Sequence, residues 1–222
     1  MSSAATFTAR VLFESAPKPN GGSPPGVRVT AREERVDDTT LERALASAWY
    51  WPEAREQIAK HGGVLEVALA AEVGSPIERA LALTKAVSAL AAKPGCLAVL
   101  WDATTLVHEP AQWIAQTEDA SEDDLPLFLW LAFEGTETTD GSRSLRTRGA
   151  RDFGTNEVEV AGSKRDGEEV LETVCDVALY VMTSPVPLED GDQVEVTRGK
   201  VRVRVEPSLR NDGSRAYRLR LP

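Results

Sequence analysis

A chain of 222 residues with 42% hydrophobic and 27% charged residues has the composition of a folded globular protein, long enough to bury a sizeable core, and no apolar run approaches the roughly 20 residues that span a bilayer. The formal net charge of −10 argues against general affinity for nucleic acid or an anionic membrane surface, since both require positive charge on the protein. That charge is unevenly placed: Val196 to Pro222 holds eight basic and two acidic residues, net +6, which leaves −16 on residues 1–195.

Met1 to Arg10 lacks the basic, apolar and small-residue order of a secretory signal, and Cys96 and Cys175 each sit among apolar neighbours. Both features point to a reduced, cytoplasmic protein.

Along the chain, Thr6 to Phe13 alternates as a first strand, and Pro17 to Gly26 reads as a loop rich in Pro, Gly and Ser. A second strand is expected over Val27 to Val36, then a helix capped by Thr39 or Thr40 and starting near Leu41. Pro52 interrupts that helical run, either as a kink or in the first turn of a second helix that ends before Gly62. Val64 to Val73 alternates as a strand with one covered face.

Ser75-Pro76-Ile77-Glu78 is a capping box with Pro in the first helical position, and it opens a helix to about Ala92. Cys96 to Trp101 is a short apolar run of the kind found in strands buried on both faces, and Leu127 to Phe133 is read the same way. A short helix over Glu109 to Gln116 and an acidic linker lie between them. Ser144 to Arg148 and Asn156 to Val160 follow as hairpin-like strands. Asp166 and Glu169 then form a capping pair for a helix to about Met182, and the chain closes on strands in which Val201, Val203 and Val205 alternate with Lys200, Arg202 and Arg204. Together these elements predict one α+β domain over residues 1–222, a mixed, largely antiparallel sheet with helices packed on it around a single core.

Motifs for chemistry are missing. There is no CxxC, HExxH, GxSxG, Walker A loop or GxGxxG turn, so no metal site and no cofactor is expected. Glu118, Asp119, Glu122, Asp123 and Asp124 form an acidic patch without the alternation or the turn glycine of an EF-hand loop. Glu157 and Glu159 project from one face of a strand, where paired carboxylates serve either acid/base chemistry or a wet edge. Cys96 begins an apolar strand, a poor place for a nucleophile paired with His61 or His108.

Candidate partner-binding residues are Trp49 and Trp51, beside Pro52, and the basic stripe of Lys200, Arg202, Arg204, Arg218 and Arg220. The stripe reads either as a contact for an acidic partner or as a sheet face paired with the protein's own acidic residues.

Several pieces follow one another in a set order: the Trp-containing helix Trp49 to Ala59, the strand introduced by His61, a helix leading to Leu97-Ala98-Val99-Leu100-Trp101, and Pro126-Leu127-Phe128-Leu129-Trp130. Thr147-Arg148-Gly149 and Phe153-Gly154-Thr155-Asn156-Glu157-Val158-Glu159 follow, with a helix before Leu188-Glu189-Asp190-Gly191-Asp192. In this order the chain resembles the bacterial domain of unknown function 4261 family over residues 41–197, most specifically from Gly149 to Asp192. Gln193 stands where the family pattern has Thr, and the basic stretch 198–222 looks like an extension. The resemblance strengthens the fold and implies no catalytic residue.

The resulting expectation is a non-enzymatic protein-binding module of the bacterial cytoplasm, with an immunity-type inhibitor of a toxin or effector as its specific form. Its partner is expected to be a protein, not nucleic acid or membrane. The alternatives are a hydrolase or small-ligand enzyme with a groove near Trp49, Trp51 and His61, and a structural subunit that pairs through its final strands.

Overall fold

The computed structural model describes residues 7–17, 26–69 and 74–221. Thr6, residues 18–25 of the first loop and residues 70–73 of the third expected strand lie outside them. The α+β class and the largely antiparallel pairing stand. The strands fall into two sheets, however, and the chain divides into two compact units, residues 1–130 and 131–222, so the apolar residues expected around one core are shared between two sheets.

The first unit contains β1 (Thr8–Phe13), β2 (Val27–Arg32), α1 (Asp38–Ala46), α2 (Ala54–Ile58), β3 (Gly63–Leu69), α3 (Pro76–Ala91), β4 (Cys96–Trp101), β5 (Leu106–His108), α4 (Pro110–Glu118) and α5 (Leu127–Trp130). Its sheet runs β2-β3-β1-β4-β5 with every neighbour antiparallel. On one face Leu12, Val64, Ala98, Leu100 and Val107 meet Leu41, Ala44, Trp51 and Ile58 from α1, α2 and their connection. α3 lies across β1, β3 and β4 on the other, where α4 also packs.

Local chemistry explains the helix ends. Ser75 Oγ accepts from Glu78 N at 3.1 Å and Glu78 Oε2 accepts from Ser75 N at 2.6 Å, so the capping box forms as expected, with Pro76 first in α3. α1 starts earlier than expected because Asp37, not Thr39 or Thr40, is its cap, accepting from Thr40 N at 2.9 Å. Pro52 kinks nothing. It lies between α1 and α2, in the turn that brings Ala48 and Trp51 into the core.

The expected strand over Leu127 to Phe133 is instead a helical turn, α5, followed by a strand from Ala132. A short apolar run fits a buried helical turn as well as a buried strand. Here the turn satisfies the indole: Trp130 Nε1 donates to Thr84 Oγ1 at 2.9 Å, and the Trp130 carbonyl accepts from Thr104 Oγ1 at 3.0 Å.

The second unit contains β6 (Ala132–Glu137), β7 (Arg143–Arg148), a 3-10 turn (Ala150–Phe153), β8 (Glu157–Ser163), α6 (Gly167–Thr183), β9 (Gln193–Val196), β10 (Gly199–Pro207) and β11 (Arg215–Arg220). The order is β6-β7-β8-β11-β10-β9, antiparallel except for β8 and β11, which run parallel. The basic closing strands are therefore no extension, since β11 is an inner strand between β8 and β10.

α6 packs over β7, β8 and β9 and buries Val170, Val174, Val177, Ala178 and Val181. Asp166 caps it, accepting from Glu168 N at 2.9 Å, but Glu169 does not close a capping box; it pairs with Arg165 instead. Among the described residues no helix is long and apolar enough to cross a membrane.

Candidate functional site

Strand alternation places Val158 and Val160 of β8, Tyr217 and Leu219 of β11 and Val203 of β10 on one face of the second sheet. The opposite face takes Glu157, Glu159, Arg218, Arg220, Arg202 and Arg204. The register sets Arg202 opposite Arg220 and Arg204 opposite Arg218, a two-by-two block of arginines on adjacent strands. Like charges directly opposed across a pair of strands destabilise it unless carboxylates intervene.

Three of the four arginines have such a carboxylate. Arg218 Nη2 lies 2.8 Å from Glu159 Oε2, and its Nη1 is 3.7 Å from Glu206. Arg220 reaches Glu206 at 2.6 Å and Arg204 reaches Asp190 at 2.7 Å. Arg202 has no ion pair or side-chain hydrogen bond among the described residues. Nor has Lys200, although Glu195 is its partner across β9 and β10. The stripe is thus in part paired with the protein's own acids, and Arg202 and Lys200 are its unanswered charges among the described residues.

Glu157 and Glu159 sit deep in this face, 5% and 0% exposed. Glu159 also accepts from Ser208 Oγ at 2.7 Å and from Leu209 N at 3.0 Å. Glu157 accepts from Thr147 Oγ1 at 2.6 Å, Gly149 N at 2.9 Å and Ala150 N at 3.2 Å. Gly149 holds φ at 121°, a conformation open to glycine that turns its N–H and that of Ala150 toward the carboxylate. With their oxygens so occupied, both carboxylates pin loops to the sheet rather than stand ready to move protons.

Burial, and then the charge of Glu157, push the nearby Asp152 carboxyl above its usual range. Burial would do the same to Glu134, but Arg148 at 2.7 Å and Arg146 at 2.8 Å outweigh it and hold that carboxyl below the usual range.

The other candidates disperse. Trp51 is 5% exposed and packed in the core, whereas Trp49 is 82% exposed and meets Tyr50 edge-on at 5.8 Å. His61 is buried, its Nε2 accepting from Val36 N at 3.0 Å and its Nδ1 2.6 Å from the Ile58 carbonyl. Burial lowers its pKa. These three side chains therefore do not line one groove.

Burial pushes both thiols, Cys96 and Cys175, up to about 12, far from the thiolate a nucleophile needs. Glu118, Asp119, Glu122, Asp123 and Asp124 are all exposed around a turn in which Ser121 N donates to the Asp124 carbonyl. Among the described residues no group of three or more His, Cys, Asp or Glu is placed to hold a metal ion.

Sequence reasoning missed Asp190, Glu206 and Ser208. Glu206 had a visible signal, since it continues the alternation of Arg202 and Arg204 on one strand. Asp190 and Ser208 act across loops, and no spacing announces them.

The class defined so far is an α+β protein with one charged sheet face. Residues 146–219 match the family model of a domain of unknown function (DUF4261). The matched segment takes in the Thr147-Arg148-Gly149 and Phe153-to-Glu159 motifs and continues through β10 and into β11, beyond the 197 expected from the sequence; residues 41–145 lie outside it. No curated protein and no solved structure matches the chain.

Proposed function

We propose that the protein is a non-enzymatic binding module that takes an acidic segment of a protein partner across the β10–β11 face. The carrying observation is Arg202, which faces Arg220 across the strand pair without a carboxylate of its own. Supplying that carboxylate from outside relieves the repulsion and adds a charge-assisted hydrogen bond. Lys200 and Arg204, next on the same strand face, extend the contact, and the match to the family model spans it.

Association of this kind weakens with salt, because the charges lie at the surface. The test is binding of the full chain to poly-L-glutamate and to a panel of acidic peptides. Arg202→Glu should weaken retention about tenfold, equivalent to about 1.4 kcal/mol, and the difference should shrink at high salt. Equal retention of the wild type and the variant at low salt would overturn the reading. A concentration-dependent oligomer that Arg202→Glu abolishes would make a second copy the partner.

A further inference from the structure

On the five-stranded sheet, successive rows of side chains cross β2, β3, β1 and β4. The row Arg32, Val64, Leu12, Ala98 passes beneath α1 and α2, where its last three members join the core. Outward from it the rows turn polar: Thr30, Glu66, Arg10 and Leu100, then Arg28, Ala68, Thr8 and Asp102. Ala68 presents a methyl group where its row neighbours carry longer side chains. A concavity of about 440 Å³ opens there, with Arg28, Arg10, Asp102, Glu66 and Thr30 around it.

Its walls are organised. Arg10 Nε and Nη2 reach Asp102 Oδ1 at 2.7 and 2.6 Å, and Thr8 Oγ1 donates to Asp102 Oδ2 at 2.8 Å. Arg10 and Asp102 are 23% and 22% exposed, so the guanidinium is held in one orientation with Nη1 left over. Glu66 is answered by Arg32 at 2.8 Å. Arg28, on the far wall, has no ion pair or side-chain hydrogen bond among the described residues. The lining holds two arginines and two carboxylates, and with Asp102 taken by Arg10 and Glu66 by Arg32, Arg28 is the charge left without a partner among the described residues.

Arg28 and Arg10 stand on strands separated by β3 and in adjacent rows, so two strand spacings across and two residues along set their backbones about 12 Å apart, a gap that two arginine side chains close around an oxyanion. The volume falls within the range of small-molecule sites, roughly 300–1,000 Å³.

We propose that this concavity binds the carboxylate or phosphate group of a small organic ligand between Arg28 and the free Nη1 of Arg10, with the Thr30 hydroxyl as a further donor. The site is independent of the β10–β11 face, so either reading can fail alone.

The experiment is a chemical-shift titration of the full chain at constant ionic strength, with inorganic phosphate and succinate as probes and chloride as reference. Saturable shifts centred on β1, β2 and β3 are expected for at least one probe, and the probe that saturates at lower concentration identifies phosphate or carboxylate as the preferred group. Arg28→Gln, on an edge strand where the fold tolerates it, should weaken binding at least fivefold. Ala68→Leu should abolish it by filling the hollow without changing a charge, and a matching melting temperature would show that this variant is folded. Arg202→Ala should leave it unchanged. Equal affinity in Arg28→Gln, loss in Arg202→Ala, or no saturable shift with either probe would each overturn the assignment.

Discussion

His108 ends β5 with its ring centroid 5.4 Å from that of Trp113 and 6.3 Å from that of Tyr50, whose hydroxyl bonds the Val107 carbonyl and lies 3.3 Å from His108 Nδ1. Burial lowers its pKa from 6.5 to about 4, with only the Leu129 backbone pulling the other way. The folded protein holds the ring neutral through a range in which the unfolded chain protonates it. Stability from this residue is therefore complete above the unfolded pKa, and is lost as pH falls from about 6.5 towards 4. Urea titrations should show the wild type losing up to about 3 kcal/mol relative to His108→Gln across that window, with no difference in pH dependence above pH 7. Parallel pH profiles for the two proteins would mean that the folded state takes up the proton as readily as the unfolded one. In the sequence this histidine was one of only two and drew attention as possible chemistry. Its burial was not legible, because β5 is only three residues long and carries no alternation to read.

Element by element, alternation was the informative signal. It correctly separated Arg202 and Arg204 from Val201 and Val203, and Glu157 and Glu159 from Val158 and Val160. What it cannot provide is the neighbour of a strand. Glu159 meets Arg218 only because β11 returns to lie parallel to β8, with α6, β9 and β10 between them in sequence. The Glu159 carboxylate thereby joins β8, β11 and the connection at Ser208 and Leu209. Glu159→Gln keeps an acceptor for the Leu209 amide but removes the charge opposite a guanidinium that is 10% exposed. Breaking a buried pair from one side costs about 3 kcal/mol, so amides of β11 that exchange through unfolding should exchange about a hundredfold faster in the variant. Unchanged protection would show that Glu206 alone is enough for Arg218. Arg202→Glu, by contrast, removes a repulsion and breaks no ion pair, so it separates partner binding from stability.

At the scale of the molecule, the two-ended charge of the sequence resolves inside residues 131–222. There the segment 131–195 has 15 acidic and six basic residues, net −9, and the closing stretch carries its net +6 back onto it. Arg198 pairs with Glu172 on α6 at 2.5 Å, Arg204 with Asp190 at 2.7 Å and Arg218 with Glu159 at 2.8 Å. A basic tail read along the chain looks like an appendage; folded, it supplies an inner strand and its neighbour. The end of the family match at 219 agrees with that topology, because β11 closes at Arg220. A segment comprising residues 131–222 should accordingly fold when expressed alone, with a cooperative thermal transition in far-ultraviolet circular dichroism and near-ultraviolet signal from Tyr217, which is 2% exposed. Residues 131–197 should not fold. Without β10 and β11, β8 loses one of its two neighbours, β9 loses its only one, and Glu159 is buried opposite no cation. A folded 131–197 segment would show that the closing strands are dispensable, and that the sheet order drawn from β8 to β9 is not the one that stabilises this unit.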